Sequence, residues 1–139
     1  MKATLDLKTI QYINLFERLI GVKAKYCFEY NSTVIFIIPK PLMRTALGRN
    51  CLNVKKISGR LNKKVRFIVS PSSRNDIGKF VSDIVYPYRF KNLQLENDEL
   101  TIFSILTTKA ALIGRGKTRL NELADILENF FEIKKVIIR

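Results

Sequence analysis

Leu47-Gly48-Arg49-Asn50-Cys51-Leu52-Asn53-Val54 and Ile113-Gly114-Arg115-Gly116-Lys117-Thr118-Arg119-Leu120 are the two stretches on which the fold turns. Gly114 follows Gly48 by 66 positions, and each stretch passes from an apolar residue through Gly-Arg into an amphipathic run. A helix N-terminus offers unpaired backbone N–H groups and the positive end of the helix dipole. Glycine beside it lets an anion approach the backbone with no Cβ in the way. A glycine-arginine turn used twice predicts a repeated grip on phosphate.

Working outward, the same order of elements surrounds both turns. Before the first, Lys8 to Ile20 has Ile10, Ile13, Phe16 and Ile20 at helical spacing, and Gly21 stands where a helix ends. Lys25–Tyr30 and Val34–Ile38 read as a hairpin around Asn31-Ser32-Thr33; the second run is apolar nearly throughout, as in a buried strand. Lys40–Leu47 predicts a short helix with Pro41 in its first turn, ended by Gly48. Helix Leu52–Leu61 and strand Lys64–Val69 complete the unit. Ser70-Pro71-Ser72-Ser73 is a breaker cluster and the expected boundary between domains 1–70 and 71–139. The second unit then repeats the order: helix Arg74–Val85 with Ser72 or Ser73 as N-cap, strands Phe90–Glu96 and Leu100–Leu106 around Asn97-Asp98-Glu99, helix Thr108–Ile113, the second turn, helix Lys117–Phe131 and strand Val136–Ile138. The expected class is α/β (α+β), as two copies of α-β-β-α-α-β, each with a three-stranded sheet.

Composition narrows the function. The 139 residues are 47% hydrophobic, enough for packed cores, and no apolar run reaches the roughly 18 residues of a membrane span. Residues 1–6 show no signal-peptide pattern, so an intracellular, cytoplasmic protein is expected. With no histidine and only Cys27 and Cys51, neither a zinc site nor histidine acid–base chemistry is available. The net charge of +13 is unevenly spread: residues 1–70 hold fourteen basic and three acidic residues, residues 71–139 eleven and nine. Lys40 to Arg66 contains nine basic residues and no acidic one, a field that attracts polyanions. Since that run straddles a glycine turn, the expected polyanion is nucleic acid.

A glycine turn between two helices, beside a three-stranded sheet, is the arrangement of the KH module, whose Gly-x-x-Gly loop clamps the backbone of single-stranded RNA. The chain resembles the archaeal NusA-like transcription factors, which carry two KH domains in tandem. The likeness rests on Phe16-Glu17-Arg18-Leu19-Ile20-Gly21-Val22-Lys23-Ala24, Ala46-Leu47-Gly48-Arg49-Asn50, Asn53-Val54-Lys55-Lys56 and Leu61-Asn62-Lys63-Lys64-Val65. In the second half it rests on Tyr86-Pro87-Tyr88-Arg89-Phe90-Lys91-Asn92-Leu93 and Ala111-Leu112-Ile113-Gly114-Arg115. The resemblance implies two prokaryotic-type (type II) KH domains, binding to nascent single-stranded RNA and to RNA polymerase, and a role in transcription elongation and termination. Two departures stand out. Cys51 holds the fourth loop position of the first turn; in the second, glycine falls one place early at Gly116 and Lys117 takes the fourth position.

Other motifs have simpler readings. Ala111 to Thr118 resembles a relaxed P-loop, but the preceding strand belongs to a hairpin and no later strand carries an acid, so nucleotide hydrolysis is not expected. Cys51, at a helix start beside Arg49, reads as a small loop residue and Cys27 as core. Tyr12, Phe16, Tyr26, Phe28 and Phe36 are assigned to packing, and Asp125 and Glu128 to a solvated acidic face. No acid, base and nucleophile come together, so no catalytic residue, metal or cofactor is expected. The expected RNA contacts are Gly48, Arg49, Asn50, Cys51, Lys55 and Lys56 in the first copy, and Gly114, Arg115, Gly116, Lys117 and Arg119 in the second. The first copy, with its larger basic excess, is expected to bind RNA more strongly. The chain is expected to be a monomer away from membranes. The alternatives are a ribosome-associated or RNA-processing KH protein, or a polymerase-docking module with weak RNA binding.

Overall fold

The short, well-punctuated runs of the sequence fold into two mixed α+β units of the same element order. A computed structural model describes residues 6–139; residues 1–5, which hold the start of the expected first domain and of the stretch read for a signal peptide, lie outside it. The described residues part into two compact units, 6–70 and 71–139.

The first unit opens with α1 (Leu7–Ile20). The Asp6 carboxylate accepts from the Thr9 N–H at 2.8 Å and caps its start, while Gly21, in the left-handed region, ends it. That capping bond holds the Asp6 carboxyl below its ordinary range. Strands β1 (Tyr26–Tyr30) and β2 (Thr33–Ile38) form a hairpin whose loop is only Asn31-Ser32, both with positive φ (52° and 60°). Such a two-residue turn matches strand twist, which is why Thr33 joins the strand. A tight helical turn (Lys40–Leu42) leads into α2 (Met43–Leu47), so the expected single helix is divided. After the glycine turn come α3 (Leu52–Leu61) and β3 (Lys64–Val69), which pairs in parallel with the buried central strand β2. Phe16 of α1 packs on Phe36 and Phe67, with ring centroids 4.6 and 5.0 Å away. Ile13 and Phe16 are the buried residues of α1, whereas Ile10, expected on the same face, is 40% exposed.

The second unit repeats the plan with α4 (Ile77–Val85), β4 (Phe90–Glu96), β5 (Glu99–Ser104), α5 (Lys109–Ile113), α6 (Thr118–Phe131) and β6 (Lys135–Ile138). Its sheet order is β4-β5-β6, with β5 antiparallel to β4 and parallel to β6. Phe80 of α4 meets Phe130 and Phe131 of α6, with centroids 5.2 and 5.7 Å apart. Strands β5 and β6 begin one residue before the expected Leu100 and Val136, α5 one residue after the expected Thr108, and three further boundaries shift for visible reasons. Arg74–Asp76 forms a tight turn before α4; Ser73 Oγ accepts from the Asn75 N–H, and Ser72 donates to the Asp76 carboxylate through N and Oγ, at 2.8 and 2.6 Å. Strand β5 stops at Ser104 instead of Leu106, because the Ile105 carbonyl accepts from the Thr108 and Lys109 N–H groups and turns the chain toward α5. Lys117 precedes α6 in a left-handed conformation. Among the described residues, no helix is long and apolar enough to cross a membrane.

Candidate nucleic-acid interface

The turns join a five-residue helix to a longer one in both units, and their backbones agree position by position. Gly48 (φ 73°, ψ −173°) and Gly114 (φ 77°, ψ 167°) occupy a region essentially closed to other residues. At the third position Asn50 (54°, 32°) matches Gly116 (60°, 27°). At the fourth, Cys51 (56°, 29°) matches Lys117 (62°, 23°). The displaced glycine therefore leaves the path unaltered, because both the third and fourth positions are left-handed in either copy. Neither α3 nor α6 has a side chain capping its first N–H groups, in contrast to α1 with Asp6. The turns stand at the positive end of a helix, an arrangement suited to an anion, with the Cys51 and Lys117 N–H groups already donating to the Gly48 and Gly114 carbonyls at 3.4 and 3.2 Å.

Space fixes the first glycine in both copies. A Cβ on Gly48 would stand 2.8 Å from Asn53 Nδ2; one on Gly114 would stand 2.7 Å from both the backbone N and Cγ of Arg119. Asn53 Nδ2 donates to the Ala46 carbonyl at 2.9 Å, satisfying a terminal carbonyl of α2 and locking the angle between α2 and α3. Asn53 was not among the expected residues. Its only sequence signal is its place five residues after the glycine, the place Arg119 takes in the second copy. Near Gly116, by contrast, a Cβ would find open space.

The expected contacts divide in two. Gly48, Arg49, Asn50, Cys51, Lys55, Arg115, Gly116 and Lys117 are exposed on or just after the turns, and Gly114 is half-buried. Lys56 and Arg119 are engaged elsewhere. Lys56 Nζ donates to the Leu19 carbonyl at the end of α1, at 3.2 Å, and Arg119, with a side chain 19% exposed, pairs with Glu122 at 3.1 Å. Cys51 is exposed, while Cys27 is buried; burial, with Asp6 and Glu29 adding to it, pushes that thiol up to about 12. Of the aromatics assigned to packing, Phe16, Tyr26 and Phe36 are buried and Tyr12 and Phe28 half-buried. Asp125 and Glu128 are exposed on α6.

Beside the first turn lies a groove of about 630 Å³ between α3 and the edge strand β3, lined by Thr33, Val54, Lys55, Ser58, Gly59, Lys64, Val65 and Arg66. Its floor is apolar and its walls bring three cations from two elements. Sequence reading missed Lys64 and Arg66 as a pair, although their alternation along β3 is the two-residue period that puts both on one face. The matching positions of the second unit follow from the spacing after glycine and from strand register (Thr33 opposite Lys64, Glu99 opposite Lys135). There Lys55 becomes Asn121, Gly59 becomes Asp125, Thr33 becomes Glu99 and Arg66 becomes Ile137. Lys64 keeps its charge as Lys135, so the two turns are alike while the matching positions of the second unit carry two carboxylates and one cation in place of three cations.

No protein-family model matches the chain. It is similar along nearly its whole length to archaeal proteins named probable transcription termination protein NusA. The relative from Thermoplasma acidophilum is 20% identical over 140 residues, 98% of this chain and 95% of its own. That from Halococcus morrhuae is 23% identical over 139 residues, 98% of each. That from Methanococcus vannielii is 20% identical, covering 98% of this chain and 79% of its own. The crystal structure of APE1850 shares the fold, with a TM-score of 0.65 and 24% identity over 97% of this chain and all of that one.

Proposed function

We propose that this chain, similar throughout its length to archaeal NusA-named proteins, is a tandem KH protein that holds single-stranded RNA during transcription termination. Each α-β-β-α-α-β unit is read as one prokaryotic-type KH domain, bounded at Ser70-Pro71. The observation that carries the reading is the pair of glycine turns, equal in backbone conformation at the first, third and fourth positions, each at an uncapped helix start. Phosphates meet the turn N–H groups together with Arg49 and Asn50, or Arg115 and Lys117. In the first unit, bases enter the groove over Val54 and Val65, while Lys55, Lys64 and Arg66 hold the backbone at its rim. Nascent RNA beside RNA polymerase is the setting this function requires, with the polymerase as protein partner. The chain itself does binding and positioning, with no covalent step.

Titration of a labelled single-stranded RNA across a salt series tests the proposal. Single-strand binding should weaken with a log–log slope of about −0.7 per phosphate neutralised. Arg49→Glu should lose affinity more than Arg115→Glu, because only the first turn opens onto a basic groove. Absence of salt-dependent RNA binding by the intact chain overturns the reading.

A further inference from the structure

The near-neutral second half hides a sharp separation of charge. Residues 84–95 and 100–121 contain six basic residues and no acidic one, so all nine carboxylates of 71–139 lie elsewhere. The fold brings the start of one segment beside the other. Phe90 pairs with Ser104 across β4 and β5, and Thr108 Oγ1 donates to the Arg89 carbonyl at 2.7 Å. The Tyr88 N–H donates to the Val85 carbonyl at 3.0 Å, fixing the turn out of α4. Around this tie Tyr86 is 70% exposed, Tyr88 42% and Leu106 93%, with Arg89 and Lys109 exposed beside them. From this platform α5 runs to Gly114, five residues, or about 7.5 Å at the usual helical rise. The first unit has Ile20, Val22 and Lys40 at the matching positions, so no aromatic platform stands there.

We propose that, in the second unit, RNA leaves the Gly114 turn along α5 and lays its bases on Tyr86, Tyr88 and Leu106, instead of entering the space between α6 and β6. This rests on the RNA-binding reading above and adds a path to it. Electrostatics favours this direction: Asp125 and Glu99 stand where the first unit has a glycine and a threonine, and with Lys135 the one cation kept there, the matching positions sum to one negative charge against three positive ones in the first groove. The single charged side chain of α5, Lys109, is positive. Tyrosine rings flanked by cations, with no carboxylate in either segment, suit single-stranded nucleic acid, whose every base offers a face for stacking.

The test uses the full chain and a labelled twelve-nucleotide single-stranded RNA carrying 4-thiouridine. Tyr86→Ala/Tyr88→Ala should weaken binding about tenfold, within the range of one to two lost stacking contacts, and Tyr86→Phe/Tyr88→Phe should stay within about twofold. Crosslinks should fall on the peptide containing residues 86–89. If the alanine pair lowers the unfolding midpoint, Arg89→Glu/Lys109→Glu provides the second reading, with about tenfold weaker binding and a shallower salt slope. Wild-type affinity in a folded alanine pair, or crosslinks confined to α6 and β6, overturns the path. So does a patch that serves a protein partner alone, which would leave RNA titrations unchanged. In these cases Arg49→Glu would still lose affinity; a wild-type chain that binds no RNA brings down the underlying function instead.

Discussion

The turns at Gly48 and Gly114 share a backbone conformation while their side chains and surroundings differ. One offers Arg-Asn-Cys and opens onto three cations; the other offers Arg-Gly-Lys, and the matching positions beside it carry two carboxylates and one cation. The first glycine is the common element because its φ/ψ region and the residue five places on leave no alternative. After it both turns keep arginine, Arg49 and Arg115, while the third and fourth positions change residue and stay left-handed. A phosphate grip made of backbone is thus kept in duplicate while specificity and charge diverge around it.

The largest expected effect tests that common element. Gly48→Ala and Gly114→Ala should each destabilise their unit, by about 2 and about 3 kcal/mol, from backbone strain plus the clash. The order follows from what each Cβ meets. Beside Gly48 it is an Asn53 side chain that swings away at the expense of its bond to Ala46; beside Gly114 it is the Arg119 backbone, which cannot move alone. Urea unfolding of the two variants checks this, and equal losses would remove the distinction.

Next in size is the groove charge. Gly59→Asp gives the first groove the carboxylate of the second; with no atom within 4 Å of its Cβ position, the side chain fits. RNA affinity should fall about tenfold at low salt and recover relative to wild type as salt rises. Asp125→Gly should strengthen RNA binding by less than threefold if the second unit's RNA runs along α5. A tenfold gain would place the strand in the α6–β6 space.

How much of this was legible in the sequence depends on range. The bounds of α3, β3 and β4 follow directly from residues 52–61, 64–69 and 90–96, where helical and strand periods are unbroken. The left-handed turn at Cys51 and Lys117 left no such trace, since neither side chain calls for positive φ; both residues instead donate their N–H to the carbonyl of the turn's first glycine. Charge roles were hardest to see. Lys56 is taken by a carbonyl 37 residues away, and the groove unites Thr33 with residues on α3 and β3. Those pairings exist only after folding.

A smaller contrast is acidic. Glu29 of β1 accepts from both Lys8 and Lys63 at 3.1 Å, whereas the second unit has Leu95 at that position. Burial raises the Glu29 carboxyl, but the hydrogen bonds from Lys63 and Lys8 outweigh it and hold it below its ordinary 4.5. Lys63 is correspondingly raised, chiefly by its bond to Glu29. With a depressed folded value, the contribution is complete above the unfolded pKa and is lost as pH falls below about 4.5 and through the folded one. Partial exposure keeps it small, about 0.5 kcal/mol. Glu29→Gln should lower stability at pH 7 by that amount, and the difference from wild type should vanish in strong acid; a gap that persists there would assign the loss to packing.

The smallest effect is the most specific to the comparison. Gly116→Asn places in the second turn the residue that the first already carries at φ 54° and ψ 32°. Asparagine tolerates the left-handed region better than other non-glycine residues, and open space surrounds the Gly116 Cβ position. The unfolded chain also loses freedom when glycine is replaced, which offsets the residual strain. Stability should stay within about 0.5 kcal/mol of wild type, and RNA affinity within about twofold. Gly116→Val is the control, since a β-branched residue at this φ is a genuine outlier and should cost about 2 kcal/mol. If the asparagine variant behaves like the valine one, the turns are alike only in their resting dihedrals, and Gly116 is there for a close approach of the RNA backbone. If it is silent in both assays, glycine at the third position is a matter of conformation alone, and the two loops are interchangeable at that site.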